Sequence, residues 1–226
     1  MPHTRRGLIA LDILAVLGIL FAFVIVIWFT PVEATMGAVQ KIFYFHVSAG
    51  WVGMISFLGA AVASGIYLST RKTIWDALAV SLVEIGMVFA IINVLSGMIW
   101  ARPIWNTWWT WDPRLTTTAI MLLVYAAYWI LRSAIDDNER KAAFGAVYTI
   151  VGFISVPVTF FSIRLYRTIH PLVFGSDNSG MALTPRMQTA FFISLAAFTL
   201  VFLALVWHRW KIEVNAQAAN ETEGMA

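Results

Sequence analysis

The chain has 226 residues, of which 60% are hydrophobic and 12% are charged. Soluble domains average about 45–50% apolar and about 25% charged residues, so the composition excludes an ordinary soluble domain and predicts folding in a lipid bilayer. The basic residues behind the net charge of +3 are scattered singly at the ends of apolar runs. This pattern excludes a nucleic-acid-binding patch and indicates membrane topology. There are no cysteines, which excludes thiolate metal sites, iron–sulfur clusters and disulfide exchange.

Six apolar windows are long enough, or nearly so, to cross the roughly 30 Å hydrocarbon core as helices. They are predicted at about 8–29, 46–69, 78–99, 115–132, 143–163 and 188–208. The sequence therefore predicts an all-α polytopic membrane protein. We expect one six-helix transmembrane domain over residues 1–210 and a frayed polar cytoplasmic tail over residues 211–226.

The distribution of lysine and arginine predicts the orientation of the helices. Alternate connections carry nine basic residues on one side and six on the other. The positive-inside rule places the nine in the cytoplasm, and with them both termini. The three external connections are then about 30–45, 100–114 and 164–187.

Residues 100–115, here called the tryptophan segment, are unusually rich in indole. Five tryptophans lie within twelve residues, at Trp100, Trp105, Trp108, Trp109 and Trp111. An interfacial aromatic belt explains one or two tryptophans. Five favour a flat aromatic platform, against which a planar macrocycle such as haem can stack.

Each charged residue in this segment has two possible roles. Arg102 and Arg114 bracket the tryptophans, and a guanidinium binds carboxylates in bidentate fashion, so both are candidates to bind haem propionates. The alternative is that they snorkel to the lipid headgroups. Asp112 followed by Pro113 is typical of a helix start, which predicts that Asp112 caps the fourth helix and contacts a ligand only secondarily.

Two of the four histidines fall on the predicted external face. His46 lies at the mouth of the second helix and His170 in the third external connection. Because two helices separate successive external connections, both histidines and the tryptophan segment emerge on one side. Two neutral imidazoles can serve as axial ligands to a haem iron, although a lone interfacial histidine is more often an ordinary polar residue. His208 is expected at the cytoplasmic end of the last span, where a cation complements the helix terminus.

The residues leave three functions open. The first is a haem-binding assembly factor. The second is a b-type cytochrome electron-transfer subunit, whose paired histidines usually lie within the helix bundle. The third is a transporter or intramembrane enzyme, which would need several buried ionisable groups near the midplane. Glu84 alone fits that requirement, and the sequence names no partner for it or for Asn93, which shares its span.

Four motifs resemble a known family in order and spacing. They are Trp-x-x-Pro-x-Trp-x-Thr-Trp-Trp-x-Trp-Asp-x-Arg-Leu-Thr at 100–116, Tyr-x-His-Val at 44–47, the Asp136-Asp137 turn and Thr168-x-His170. With them the chain resembles, over nearly its whole length, the WWD-domain family of haem-handling membrane proteins, and most closely its haem exporter C branch. It departs from that family at Leu165-Tyr166-Arg167, where relatives usually carry a Trp-Trp pair.

The resemblance implies a non-enzymatic assembly factor of cytochrome c biogenesis in the cytoplasmic (inner) membrane. Such a protein holds b-type haem non-covalently and transiently at the outer face, here with His46 and His170 as axial ligands. It delivers the haem to a CcmE-like periplasmic chaperone that carries haem covalently. It works beside CcmA- and CcmB-like ABC-type subunits and a small CcmD-like membrane subunit. Larger relatives that attach haem to apocytochrome have more helices, so the short chain fits delivery better than a haem-lyase activity.

Overall fold

The computed structural model describes residues 2–171, 181 and 183–223, and the regular elements in this part of the chain are helices. The α-helices are α1 (Pro2–Val24), α2 (Ile42–Thr70), α3 (Thr73–Trp105), α4 (Pro113–Ser133), α5 (Asn138–Gly152), α6 (Ser155–Leu165) and α7 (Pro185–Glu223). A π-helical turn extends α1 over Ile25–Phe29, and a 3-10 turn over Ala38–Lys41 leads into α2. The all-α prediction is confirmed.

Six stretches of the described chain are long and apolar enough to cross a membrane, which confirms the predicted number of spans. They are Arg6–Phe29, Ala38–Thr70, Thr73–Trp105, Pro113–Ser133, Asn138–Leu165 and Pro185–Ala219. Six crossings return the chain to the side on which it began, so the start of α1 and the end of α7 lie together. The opposite end carries residues 106–112 and is called the loop end below.

The tryptophan segment is more helical than predicted. α3 continues through Trp105, so Trp100 and Trp105 belong to a helix instead of an external loop. The helix ends at Asn106, which adopts the left-handed conformation with φ 54°. The non-helical part is therefore only 106–112, and Asp112 then caps α4 by accepting a hydrogen bond from the Leu115 N–H at 2.9 Å. The predicted helix start is confirmed.

The fifth span is broken where a single helix was expected. α5 ends at Gly152 and α6 begins at Ser155, with a turn between them. Pro157 lies in the first turn of α6, where the missing N–H costs no intrahelical hydrogen bond. The break changes the neighbours of the span: α5 packs on α2 and α4, whereas α6 packs on α4.

α2 and α3 form the closest antiparallel pair in the bundle. The Ser56 hydroxyl donates to the Leu82 carbonyl at 2.6 Å across this interface. A Cβ at Gly86 would lie 2.9 Å from the Phe57 ring, so the absence of a side chain there permits the close approach. Phe57 in turn stacks on Tyr125 of α4 with ring centroids 3.8 Å apart.

α7 corrects two expectations. Residues 211–223 continue the helix, so the prediction of a frayed tail is wrong for them, and His208 lies inside α7, where it contacts Asp12 at 2.9 Å instead of complementing a helix end. Arg209 of α7 joins a charge on α3 to a charge in the predicted tail. Arg209 contacts Glu84 at 2.6 Å and Glu213 at 2.9 Å, which supplies the partner that the sequence did not name.

A second polar cluster lies at the end of the bundle away from the loop end. Arg132 makes two hydrogen bonds to Asp76, at 2.7 and 3.0 Å, and both side chains are at most 10% exposed. The Gln217 amide donates to the same carboxylate at 3.1 Å. Because a charge inside a membrane protein needs a partner, these contacts explain how α3, α4 and the extended α7 tolerate charged residues.

Candidate functional site

A cavity opens at the loop end and encloses about 1280 Å³ of empty space, counting the part open to solvent. We call it the histidine cavity. Helices α2, α3, α4 and α6, the non-helical part of the tryptophan segment and residues 169–171 all contribute to its walls. Seven of the ten predicted site residues line it: His46, His170, Trp100, Trp105, Trp108, Trp109 and Arg114. Arg102, Trp111 and Asp112 are outside the lining.

His46 lies in the second turn of α2 and is held by α3. Its Nδ1 lies 2.9 Å from the Asn93 backbone carbonyl. A carbonyl only accepts hydrogen bonds, so this contact places the proton on Nδ1 and leaves Nε2 as the unprotonated nitrogen. The Asn93 side-chain amide returns a hydrogen bond to the His46 carbonyl at 2.8 Å. Gly97 makes room for the ring, since a Cβ there would lie 2.8 Å from the imidazole Cε1.

His170 is held by a carboxylate. Its Nδ1 lies 3.2 Å from Asp112 Oδ2, so the aspartate favours the tautomer that carries the proton on Nδ1. The Thr168 hydroxyl and the Ile169 N–H also donate to Oδ2, and the His170 N–H donates to the Thr168 hydroxyl at 3.2 Å. This network fixes the short segment that follows α6 against the start of α4.

The two titratable groups of this contact have shifted pKa values. Burial lowers the pKa of His170, with a further contribution from Arg114, while Asp112 opposes the shift. Burial raises the pKa of Asp112, but hydrogen bonds from Thr168, Leu115 and His170 outweigh it and hold that pKa below its usual value. The pair is therefore a carboxylate facing a neutral imidazole at pH 7.

The tryptophans connect the two histidines through ring contacts. The His46 ring lies 5.8 Å from Trp100, Trp100 lies 6.3 Å from Trp105, and Trp105 lies 6.1 Å from His170, measured between ring centroids. The interplanar angles of 66°, 43° and 48° show that the rings form a curved wall instead of the expected flat platform. For Trp100 and Trp105 the register of α3 contributes, because the two residues are five positions apart and the helix points their side chains in different directions.

The remaining tryptophans differ in exposure. Trp108 lines the histidine cavity and is 53% exposed. Trp111 is 75% exposed and packs edge-on against Trp109 at 5.6 Å. The indole N–H groups of Trp100 and Trp109 and the Thr110 hydroxyl are buried without a hydrogen-bond partner among the described residues. All three residues belong to the lining of the cavity, but these polar atoms themselves are covered by the protein.

The arginines are arranged differently from the prediction. Arg114 lines the cavity and donates to the Thr159 carbonyl at 2.5 Å, which ties α4 to α6. Arg102 is exposed and donates to the Asn106 side chain at the end of α3. Arg164, which the sequence reasoning did not single out, contributes a second guanidinium to the lining.

Sequence reasoning also missed several wall residues. Trp51, Met54, Gly97 and Phe160 line the cavity from within the spans. The sequence pattern around an apolar residue in a span is the same whether the residue faces lipid or a cavity. No local signal therefore distinguishes a cavity-lining residue from a lipid-facing one. Asn93 carried a usable signal, because a polar residue inside a span needs a partner.

The fold and the cavity define a class: a multi-pass α-helical membrane protein with a histidine pair and an aromatic wall at one end of the bundle. The family model described as Heme exporter protein C matches residues 1–224, and the chain belongs to that family. The sequence is 34% identical over 175 residues to the Heme exporter protein C of Bradyrhizobium diazoefficiens, covering 77% of this chain and 66% of that protein.

Two further relatives carry the same name. The Rhodobacter capsulatus protein is 32% identical over 209 residues, covering 88% of this chain and 84% of its own length. The Escherichia coli protein is 28% identical over 183 residues, covering 81% and 74%. The matched part of the chain thus spans just under two thirds of the Bradyrhizobium protein and about three quarters or more of the other two.

Proposed function

We propose that the chain binds haem in the histidine cavity, with His46 and His170 as axial ligands, and passes it on during cytochrome c biogenesis. One observation carries the proposal. Two imidazoles from distant parts of the chain line one cavity, and each has its Nδ1 engaged by an acceptor, Asn93 or Asp112. Metal-binding histidines are oriented in this way, because the hydrogen bond at one nitrogen leaves the other available to the metal.

The walls of the cavity suit the rest of the haem molecule. Indole and phenylalanine rings offer apolar surface to the macrocycle, and Arg114 and Arg164 offer cations to its propionates. Arg102 and Trp111 lie outside this lining. We therefore propose that their predicted contacts with haem are made at the solvent-exposed side of the cavity.

The exposed position of Trp108 supports delivery over permanent storage. A cavity whose outer wall is half exposed lets a partner reach the ligand without unfolding of the bundle. We propose a periplasmic chaperone that carries haem covalently as the recipient, and ABC-type subunits with a small membrane subunit as companions. The relatives are named as exporter components, which supports a transport and assembly role and not an enzyme.

The position of the histidines favours haem delivery over the alternative function of a b-type electron-transfer subunit. The histidine cavity lies at the loop end, whereas redox haems of such subunits usually lie within the bundle. We further propose that the loop end faces the periplasm and that both termini face the cytoplasm, as the distribution of basic residues predicts.

Haem titration of the purified chain tests the ligands. The wild type is expected to give a bis-histidine optical spectrum, and His46→Ala and His170→Ala are each expected to abolish it. His208→Ala is the matched control, because His208 contacts Asp12 away from the cavity. A bis-histidine spectrum that survived both cavity substitutions would refute the assignment.

Single cysteines test the orientation, because the chain has none of its own. Asn106→Cys lies at the loop end, and Asn138→Cys lies at the exposed first residue of α5 at the opposite end. A membrane-impermeant thiol reagent added to intact spheroplasts should label the first and spare the second. The reverse pattern would place the histidine cavity in the cytosol and exclude periplasmic delivery.

A further inference from the structure

A second recess lies beside the histidine cavity, on the side of the bundle between α2 and the broken fifth span. It holds about 560 Å³ of empty space, counting the part open to the surroundings, and its lining exposes no polar surface. We call this recess the side groove. Its walls are Trp51, Met54, Ile55, Leu58, Phe153, Val156, Pro157, Phe160 and Phe161.

The side groove and the histidine cavity share a partition of three side chains. Trp51, Met54 and Phe160 line both spaces. The Trp51 and Phe160 rings meet edge to face with centroids 5.7 Å apart. Trp51, Met54 and Phe160 therefore border both spaces, and a change in their side-chain rotamers would open a connection between them.

The break in the fifth span creates the groove. α5 packs on α2, but after the turn α6 has its main contact with α4, so a gap opens beside α2 towards the loop end. Two contacts hold α6 in that position: Arg114 donates to the Thr159 carbonyl, and the Thr159 hydroxyl donates to the Thr117 carbonyl at 3.0 Å. The gap is thus built into the packing of α4 and α6.

The groove opens on the lipid-facing surface. Ile55 and Leu58 of α2 are each 48% exposed, and Phe161 on the other rim is 49% exposed. All three lie inside membrane spans, so hydrocarbon surrounds the opening. At 1.5 Å per residue, Leu58 lies about 18 Å along α2 from His46, so the groove reaches about as far as the midplane of the roughly 30 Å hydrocarbon core.

We propose that the side groove is a lateral portal through which haem enters the histidine cavity from the hydrocarbon layer of the membrane. The inference rests on the proposed function. A porphyrin with a broad apolar face partitions into a bilayer, and an all-apolar entrance that borders the binding cavity admits it, once the three shared side chains rotate, without exposing it to water. The charged residues Arg114 and Arg164 line the histidine cavity, and neither lines the side groove.

Obstruction of the groove tests the portal. The variant Leu58→Trp narrows the opening without changing a residue of the histidine cavity, and Ile55→Trp does the same from the next turn of α2. The matched control is Leu20→Trp on α1, which is 57% exposed and lines neither space. Each protein is reconstituted in vesicles whose bilayer already contains haem, and the appearance of the bis-histidine spectrum is followed.

We expect Leu58→Trp and Ile55→Trp to slow loading about tenfold while Leu20→Trp loads like the wild type. Equilibrium occupancy of the detergent-solubilised proteins should be equal, because the cavity itself is unchanged. Wild-type loading rates in both groove variants would show that the groove holds only lipid acyl chains, and equal slowing by Leu20→Trp would show a general effect; either result overturns the portal. Absence of haem binding by the solubilised wild type would instead refute the proposed function.

Discussion

The Asp112 carboxylate contacts His170 with one oxygen and caps α4 with the other. Oδ2 lies 3.2 Å from the His170 Nδ1, and Oδ1 accepts the Leu115 N–H at 2.9 Å. The same residue therefore starts a membrane helix and orients an imidazole 58 positions later in the sequence. Because the two functions use different oxygens, one substitution can separate them.

Asp112→Asn should lower haem affinity about 10- to 100-fold, the range found when the partner of a metal-binding histidine is removed. Asparagine still caps a helix, so membrane insertion and the start of α4 should be unchanged. The measurement is a haem titration of the purified protein. Asp137→Asn is the control, because Asp137 caps α5 through the Arg140 N–H at 2.8 Å, away from the cavity. Equal affinity of Asp112→Asn and the wild type would contradict an orienting role.

Haem occupancy should fall with acidity, with a midpoint below pH 6.5. Iron binds the neutral imidazole, and burial lowers the pKa of His170 from its ordinary value of 6.5, so the neutral form persists into more acidic solution. The lowered pKa of His170 also makes the stability of the fold depend on pH. Below pH 6.5 the unfolded chain binds more protons at this position than the folded chain, so stability rises with pH through that window. A spectroscopic titration with a midpoint at or above pH 6.5 would contradict the buried, neutral state.

Gly97→Ala should weaken haem binding by displacing His46. The added Cβ would lie 2.8 Å from the imidazole Cε1, which forces the ring to move. Gly65→Ala on α2 is the control, because no atom outside its own helix lies within 4 Å of the new Cβ. In both variants the helix itself should gain roughly 0.5–1 kcal/mol from the change. Haem titration should therefore distinguish two proteins that insert equally well, and equal affinities would contradict the role of Gly97.

Trp108→Ala and Trp109→Ala together should reduce haem retention while membrane insertion stays normal. Both indoles line the histidine cavity, and their removal takes away apolar surface that shields the ligand from water. The measurement is the rate of haem loss to a soluble acceptor. Trp28→Ala is the control, since Trp28 is 72% exposed and outside the cavity lining. Undiminished retention in the double variant would show that the wall plays no part in holding the ligand.

Arg132→Ala should destabilise the bundle by about 3–5 kcal/mol, because it leaves the buried Asp76 carboxylate without its cation. His208→Ala breaks a pair whose side chains are 49% and 41% exposed, so it should cost much less. Thermal unfolding of both proteins in detergent provides the comparison. Equal unfolding temperatures would indicate that water or the Gln217 amide satisfies Asp76 without Arg132.

Much of the fold could be predicted from the sequence because it depends on local composition. The length of each apolar run determined the six spans, and the two spans between successive connections placed His46, His170 and the tryptophan segment at one end of the bundle. Asp112 before Pro113 marked a helix start through chemistry confined to a few residues. These features need no knowledge of how the helices pack.

Only the tertiary structure decided which side chains meet. Asn93 holds His46 and Asp112 holds His170, while Glu84 pairs with Arg209 across 125 positions of sequence. The break between α5 and α6 and the side groove beside it likewise came from the structure. Such pairings depend on the rotation of each helix about its axis and on which helices are neighbours. Hydropathy carries neither quantity, because lipid and a protein interior are equally apolar environments for a residue in a span.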